Sequence, residues 1–203
     1  MPAIFSEGER RELRRRMIDI GWERLLSGGY RALRVEDVAR EVGLAKGTFY
    51  HFFPSKDAFV CELVAENRRA LGESLEALFS DARPDAARVR AWMLETWHSE
   101  RLLFRCVGPE DYRRIRRALP EDAQLGPEAG SGLIGGMLER AAPSGGAADT
   151  RLAMTLQRII ATALMARDDF DSESLERAVD VLIDATVDAL FGPGAARAAS
   201  EQG

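Results

Sequence analysis

The chain has 203 residues, 46% hydrophobic and 30% charged, a balance that places it among globular proteins. No apolar run reaches the roughly 20 residues that a membrane-spanning helix needs, and Met1-Pro-Ala-Ile-Phe-Ser-Glu-Gly-Glu9 lacks the basic opening and apolar centre of a signal peptide, so a cytoplasmic location is expected. The net charge of −5 is uneven: residues 1–60 hold 11 Lys and Arg against 9 Asp and Glu, a balance of +2, and the remainder 17 against 24, a balance of −7.

Taken in order, the chain reads as all-α, with no strand alternation and no internal repeat. Ser6-Glu-Gly-Glu9 has the spacing of a capping box and opens a first helix to about Ser27, on which Arg10, Arg11, Arg14, Arg15 and Arg16 form a basic approach. Two short helices around Gly43 follow. Ser55 caps a long helix with Phe59, Leu63, Asn67, Leu71, Leu75 and Leu78 on one stripe. After Arg83-Pro84-Asp85, another helix carries Val89, Trp92, Met93, Thr96, Trp97 and Phe104, until Gly108-Pro109 breaks it. A short basic segment spans 110–119 and Pro120 stops it. Residues 126–142 are glycine-loaded and weakly helical, and Pro143 to Ala148 is a loop. Two strongly periodic helices are predicted at about 149–168 and 172–191. Gly192-Pro-Gly194 ends the second, leaving a loose tail over 193–203.

The stretch from Arg34 to Phe53 carries the functional signal. Val35, Val38, Ala39 and Val42 repeat at helical spacing, Gly43 suits the left-handed turn of a sharp helix end, and Leu44 plugs the corner with Phe49 and Phe52. Beyond the turn, Lys46, Gly47, Thr48, Tyr50 and His51 fall on or beside one side of a short helix. A cation, a bare backbone, a hydroxyl, a phenol and an imidazole there suit phosphate oxygens and base edges. Lys56 follows, and it and Lys46 are the only two lysines among the 28 basic residues. Arg34 and Val35, at the entry to the motif, complete the candidate DNA-binding set. The prediction is a helix-turn-helix.

Val38-Ala39, Val42-Gly43-Leu44, Lys46-Gly-Thr-Phe-Tyr50 and Phe53-Pro-Ser-Lys-Asp57 resemble the N-terminal domain of the tetracycline-repressor (TetR) family of transcription regulators, and the likeness extends back through Gly28-Gly29-Tyr30 to Arg11. It covers about a third of the chain. It implies an N-terminal three-helix domain over 1–54, with its motif at 34–53. A long helix would join this to a helical effector-binding and dimerisation domain over 55–192. Two departures stand out: Arg34 and Glu36 replace a Thr cap and a basic residue usual in the family, and Ala45 replaces a Ser. The lost hydroxyls remove phosphate contacts and leave backbone anchoring to Arg34.

Leu152, Leu156, Ile159, Ile160, Ala163 and Leu164 form one stripe of the closing pair, and Leu175, Val179, Leu182, Ile183, Thr186, Val187 and Leu190 another. The resemblance implies that this pair docks on a two-fold mate as a four-helix bundle, with Leu152, Leu156, Ile160, Leu175, Val179, Leu182, Ile183 and Thr186 at the interface. A homodimer on a near-palindromic double-stranded DNA operator is expected.

Met93, Thr96, Trp97, Phe104, Tyr112, Met137 and Met165 supply the surface that lines pockets for flat or greasy molecules, although such residues also build ordinary cores. The family resemblance implies an unidentified small-molecule effector among them, with Trp97 facing the pocket and Trp92 packing. His98 reads as a packing histidine, and Arg113, Arg114, Arg116 and Arg117 as a solvated face.

Gly130-Ser-Gly132-Leu-Ile-Gly135 matches a dinucleotide fingerprint literally, but no strand precedes it. Cys61, Cys106 and His98 lack the close-spaced pair of a zinc site. No cofactor, metal or catalytic residue is predicted. The expected function is a TetR-like repressor released from its operator by a small molecule. The alternatives are a helical ligand-binding or dimerisation module without specific DNA binding, and a helical-bundle enzyme.

Overall fold

The structure, a computed structural model, describes residues 5–119, 133–143 and 148–200, and every regular element among them is helical. The Pro120 stop, the stretch from 126 to 132 with Gly130 and Gly132, positions 144–147 of the expected loop and residues 201–203 of the tail lie outside the described residues.

Helix α1 (Glu7–Ala32) opens on the predicted box: the Ser6 hydroxyl accepts from the Glu9 amide and the Glu9 carboxylate accepts from the Ser6 amide. It is kinked at Gly28 and Gly29. Gly29 has φ of +67°, the left-handed region that favours glycine, and a Cβ there would lie tightly, 3.3 Å from the Cys106 carbonyl oxygen. Helices α2 (Val35–Glu41) and α3 (Lys46–Phe52) form the motif. Helix α4 (Lys56–Leu78) is capped by the Ser55 hydroxyl, which accepts from the Ala58 amide at 2.9 Å.

Helix α5 (Ala86–His98) starts at the Asp85 cap but stops six residues short of the expected Phe104. A separate turn, α6 (Leu103–Cys106), follows. No glycine or proline makes this break; tertiary contacts do. Asn67 donates to the Arg101 carbonyl at 2.9 Å and Arg105 Nε to the Trp97 carbonyl at 2.6 Å, so the groups freed by the interruption are paired. Helix α7 (Pro109–Ala118) begins with proline in its first turn. Helices α8 (Leu133–Ala141), α9 (Thr150–Met165) and α10 (Ser172–Phe191) build the body, with a 3-10 turn at Arg167–Asp169.

The tail expected to be loose from 193 is helical at α11 (Ala195–Ser200) and lies against α5 and α10. Gly192 and Gly194 turn the chain with φ of +102° and +85°. The Asp188 carboxylate, one helix back, then accepts from the Ala196 amide at 2.8 Å. Ala196 and Ala199 are buried.

Two apolar clusters result, and they do not follow chain order. The first joins α1 to α3 with the opening of α4, and takes in Leu103, Cys106 and Ile115 of α6 and α7 with Val107 and Leu119, the residues that cap them. The second gathers Leu75 and Leu78 of α4 with α5 and α8 to α11. Helix α4 enters both.

Candidate nucleic-acid interface

The turn between α2 and α3 is closed by two backbone bonds. The Leu44 amide donates to the Ala39 carbonyl at 2.8 Å and the Gly43 amide to the Arg40 carbonyl at 3.0 Å, while Gly43 sits at φ of +75°. This is the paired 6→1 and 5→2 closure of a helix that ends on a left-handed residue. Leu44 packs on the first cluster, as predicted. Neither α2 nor α3 has a side-chain cap, in keeping with Arg34 and Ala45 in the cap positions.

Burial divides α3 into two faces. Phe49 is fully buried and meets Phe53 and Phe59 at ring centroid distances of 5.2 Å each, and Phe52 packs beside Phe5. On the other side Lys46, Gly47 and His51 are exposed, Thr48 is half-buried, and Tyr50 is exposed with its ring edge-on to Phe49. A Cβ built on Gly47 would meet nothing within 4 Å, so the backbone there is open to a close-approaching surface. Arg34 is exposed beside them. Lys46 Nζ lies 2.5 Å from the Glu36 carboxylate of α2.

Two expected contact residues point elsewhere. Val35 is buried in the first cluster, because the first residue of α2 starts its apolar stripe. Lys56 turns inward: Nζ donates to the Tyr30 carbonyl at 2.7 Å and sits 3.9 Å from the centre of the Tyr30 ring. Burial, followed by nearby Arg114, holds its ammonium below the ordinary lysine range. The kink at Gly28 and Gly29 precedes Tyr30, whose hydroxyl also donates to Asp57. Arg114 of α7 lies over the same ring at 5.0 Å, tying the body's basic helix to the head.

Residues 19–63 match the sequence profile of the bacterial regulatory proteins of the tetR family. The HTH-type transcriptional regulator BetI of Escherichia coli (strain UTI89 / UPEC) is 29% identical over 201 residues, which cover 83% of this chain and all of that protein. The HTH-type transcriptional repressor KstR of Mycolicibacterium smegmatis is 38% identical over 90 residues, 42% of this chain and 40% of its own. The chain is thus similar to transcription regulators of the TetR family, most specifically over its helix-turn-helix region. Solved structures show the same fold: a TetR-family transcriptional regulator from Agrobacterium tumefaciens superposes with a TM-score of 0.64 at 16% identity, covering 87% of this chain and 98% of that one. The fatty acid degradation regulator FadR from Bacillus halodurans does so at 0.59 and 16%, covering 89% and 95%.

The middle-helix residues form a packed ladder. Met93, Trp97 and Met137 are buried in the second cluster; Trp97 stacks on Phe104 at 6.0 Å and 23°, and Phe104 meets Tyr112 at 5.6 Å. Tyr112 packs on the first cluster, so the ladder runs from body to head. Burial pushes the Tyr112 phenol above its ordinary range. Trp97 Nε1 donates to Gln157 Oε1 at 2.6 Å, and Gln157 Nε2 to Thr186 at 2.9 Å, a buried polar chain that sequence reading missed. Trp92, expected to pack, does, with Nε1 donating to Ser74 at 3.2 Å. Thr96 and Met165 are half-buried. His98 is exposed rather than packed, and contacts Glu176 and Asp180.

The assembly residues need correcting. Ile160, Leu175, Val179, Ile183 and Thr186 face inward and are buried within the chain, since α9 and α10 pack on each other and on the rest of the body; Leu156 and Leu182 are half-buried. Of the expected set only Leu152, at 47%, is substantially exposed. The outward positions of the same helices carry Ile159 at 46% and Val181 at 66%, with Phe170 at 53% just beyond α9. Thr155, Arg158, Ile159, Thr162 and Phe170 line a shallow hollow of about 350 Å³.

Proposed function

We propose that this chain is a TetR-like homodimeric repressor that binds a near-palindromic operator and is released from it by a small molecule. The observation that carries the reading is the two-faced α3: Phe49 and Phe52 fix it to the core while Lys46, Gly47, Thr48, Tyr50 and His51 are presented outward. Arg34 anchors the backbone beside them, and Val35 and Lys56 support the motif from inside. One head covers one half-site, so tight binding calls for two. Leu152, Ile159, Val181 and Phe170 give a second copy its apolar footing. The repressor name of KstR supports the sign of regulation.

The effector reading rests on the ladder from Trp97 to Tyr112. A ligand that parts Trp97 from Phe104 would favour a second arrangement of α5 and α6, and α6 packs directly on α1. This is a population shift between two packings. DNA selected from the source genome should yield one near-palindromic sequence, with half-sites about one helical turn apart. Sedimentation of the free protein should show a dimer at micromolar concentration. Enrichment of no sequence over random fragments would sink operator recognition, and a monomer would sink the assembly.

A further inference from the structure

The recognition helix carries its only lysine already paired. Glu36, the second residue of α2, and Lys46, the first of α3, meet across the motif at 2.5 Å with both side chains about half exposed. The contact acts on both groups: the hydrogen bond from Lys46 holds the Glu36 carboxyl below its ordinary range, with the Arg34 charge adding to the effect, and the bond to Glu36 raises the ammonium. Other cations of the head are paired as well. Arg24 bonds Glu41, Arg40 bonds Asp37, and Arg14 lies 2.8 Å from Glu62.

A free lysine on this surface would serve any phosphate backbone alike, because counterion release carries no sequence information. A carboxylate at the same spot changes that in two ways. It occupies the ammonium, and it repels a phosphate that approaches loosely. Docking that is fixed by base contacts holds a phosphate close enough to replace Glu36 on Lys46; loose docking does not. Surface ion pairs are weak and exchange readily, so the replacement is open to a well-placed phosphate.

We propose that Glu36 is a specificity-determining residue of the head, an internal stand-in for phosphate that withholds Lys46 from non-specific DNA and releases it on the operator. The inference rests on the DNA-binding reading above. Its prediction concerns the ratio of two affinities.

The test compares the parent, Glu36→Gln, Lys46→Ala and the double variant on the selected operator and on a random-sequence duplex of equal length, across a salt series. Glu36→Gln should bind the random duplex severalfold tighter, with a salt slope steeper by about 1 per head, and should gain less on the operator, so that discrimination narrows. The double variant should lose that gain. Lys46→Ala alone should weaken operator binding and leave random-sequence binding nearly unchanged. A Glu36→Gln protein whose random-duplex affinity and slope equal the parent's overturns the proposal, as does an equal gain on both duplexes. A parent that binds neither duplex at low salt instead removes the DNA-binding reading, and this inference with it. Glu36→Ala, with a melting curve for each variant, checks that the exposed site leaves the fold intact.

Discussion

Arg105 and Glu176 meet in two hydrogen bonds, 2.7 Å from Nη1 to Oε1 and 2.8 Å from Nη2 to Oε2, while Arg105 Nε donates to the Trp97 carbonyl. One guanidinium thus closes the end of α5, holds α6 and reaches α10. Arg105→Ala should cost about 1–3 kcal/mol, chiefly because partly buried acceptors lose their donor, and lower the melting temperature accordingly. Arg105→Lys should recover only part, since an ammonium cannot span carboxylate and carbonyl with the geometry of a planar fork. A melt unchanged in Arg105→Ala would show that water replaces all three bonds.

The same pair sets an acid dependence. Bonding from Arg105, aided by the nearby charges of Arg105 and His98, holds the Glu176 carboxyl below its ordinary 4.5. A carboxyl lowered in the folded state contributes stability above the unfolded value, and the contribution disappears as pH falls through the folded one. Melting temperatures of Glu176→Gln should lie below the parent's at pH 7 and converge on it as the pH falls below the ordinary carboxylate range. Parallel curves across that range would assign the acid limb to other carboxylates.

Trp97, Gln157 and Thr186 allow a double-mutant test. Trp97→Phe leaves the buried Gln157 carbonyl without its donor, and Gln157→Leu leaves the indole N–H without its acceptor; each orphaned group costs about 1–3 kcal/mol. The double variant strands neither, and Thr186 still donates to the Leu182 carbonyl at 2.7 Å. Its destabilisation in urea should therefore be smaller than the sum of the two. Strict additivity would mean that the 2.6 Å contact contributes nothing of its own.

The outward and inward faces of α10 should respond oppositely to charge. Val181→Glu places a carboxylate at a position 66% exposed in the single chain, so a folded monomer is expected from sedimentation and circular dichroism together. Ile183→Glu, at a fully buried position, should instead unfold the body. A Val181→Glu protein that remains a dimer would move the interface elsewhere.

Lys56→Ala should lower stability by about 0.5–1.5 kcal/mol through the lost bond to Tyr30 and leave the salt slope of DNA binding as it is. A slope flattened by about 1 per head would return Lys56 to the phosphate contacts.

Local chemistry was legible wherever one short segment decides the outcome. The Ser6 and Ser55 caps and the Gly43 turn depend on residues within five positions of each other. What the sequence concealed depends on distant partners. Lys56 reads as a surface cation until the kink at Gly28 and Gly29 brings the Tyr30 carbonyl to it, and α11 reads as tail until Asp188 caps it from the preceding helix. The break after His98 has no breaker residue, being held by Asn67 and Arg105. The stripes of α9 and α10 were correctly periodic, but periodicity marks an apolar face without saying which neighbour covers it. Thr186 and Ile183 are covered by their own chain.

Helix α4 is anchored in the first cluster up to Val64 and in the second from Leu75, and between them none of its residues is fully buried. From Leu63 to Leu75 the axis advances about 18 Å at 1.5 Å per residue. Its head end is hard to slide, because a Cβ on Gly21 of α1 would come within 2.7 Å of the Phe59 ring, leaving no slack at that crossing. Motion at the body end is therefore transmitted as tilt: about 10° over that length displaces the far end by about 3 Å. That is close to the spacing of one base pair along the duplex, so in the proposed dimer small rearrangements around Leu75 and Leu78 would suffice to take the two heads out of step with their grooves.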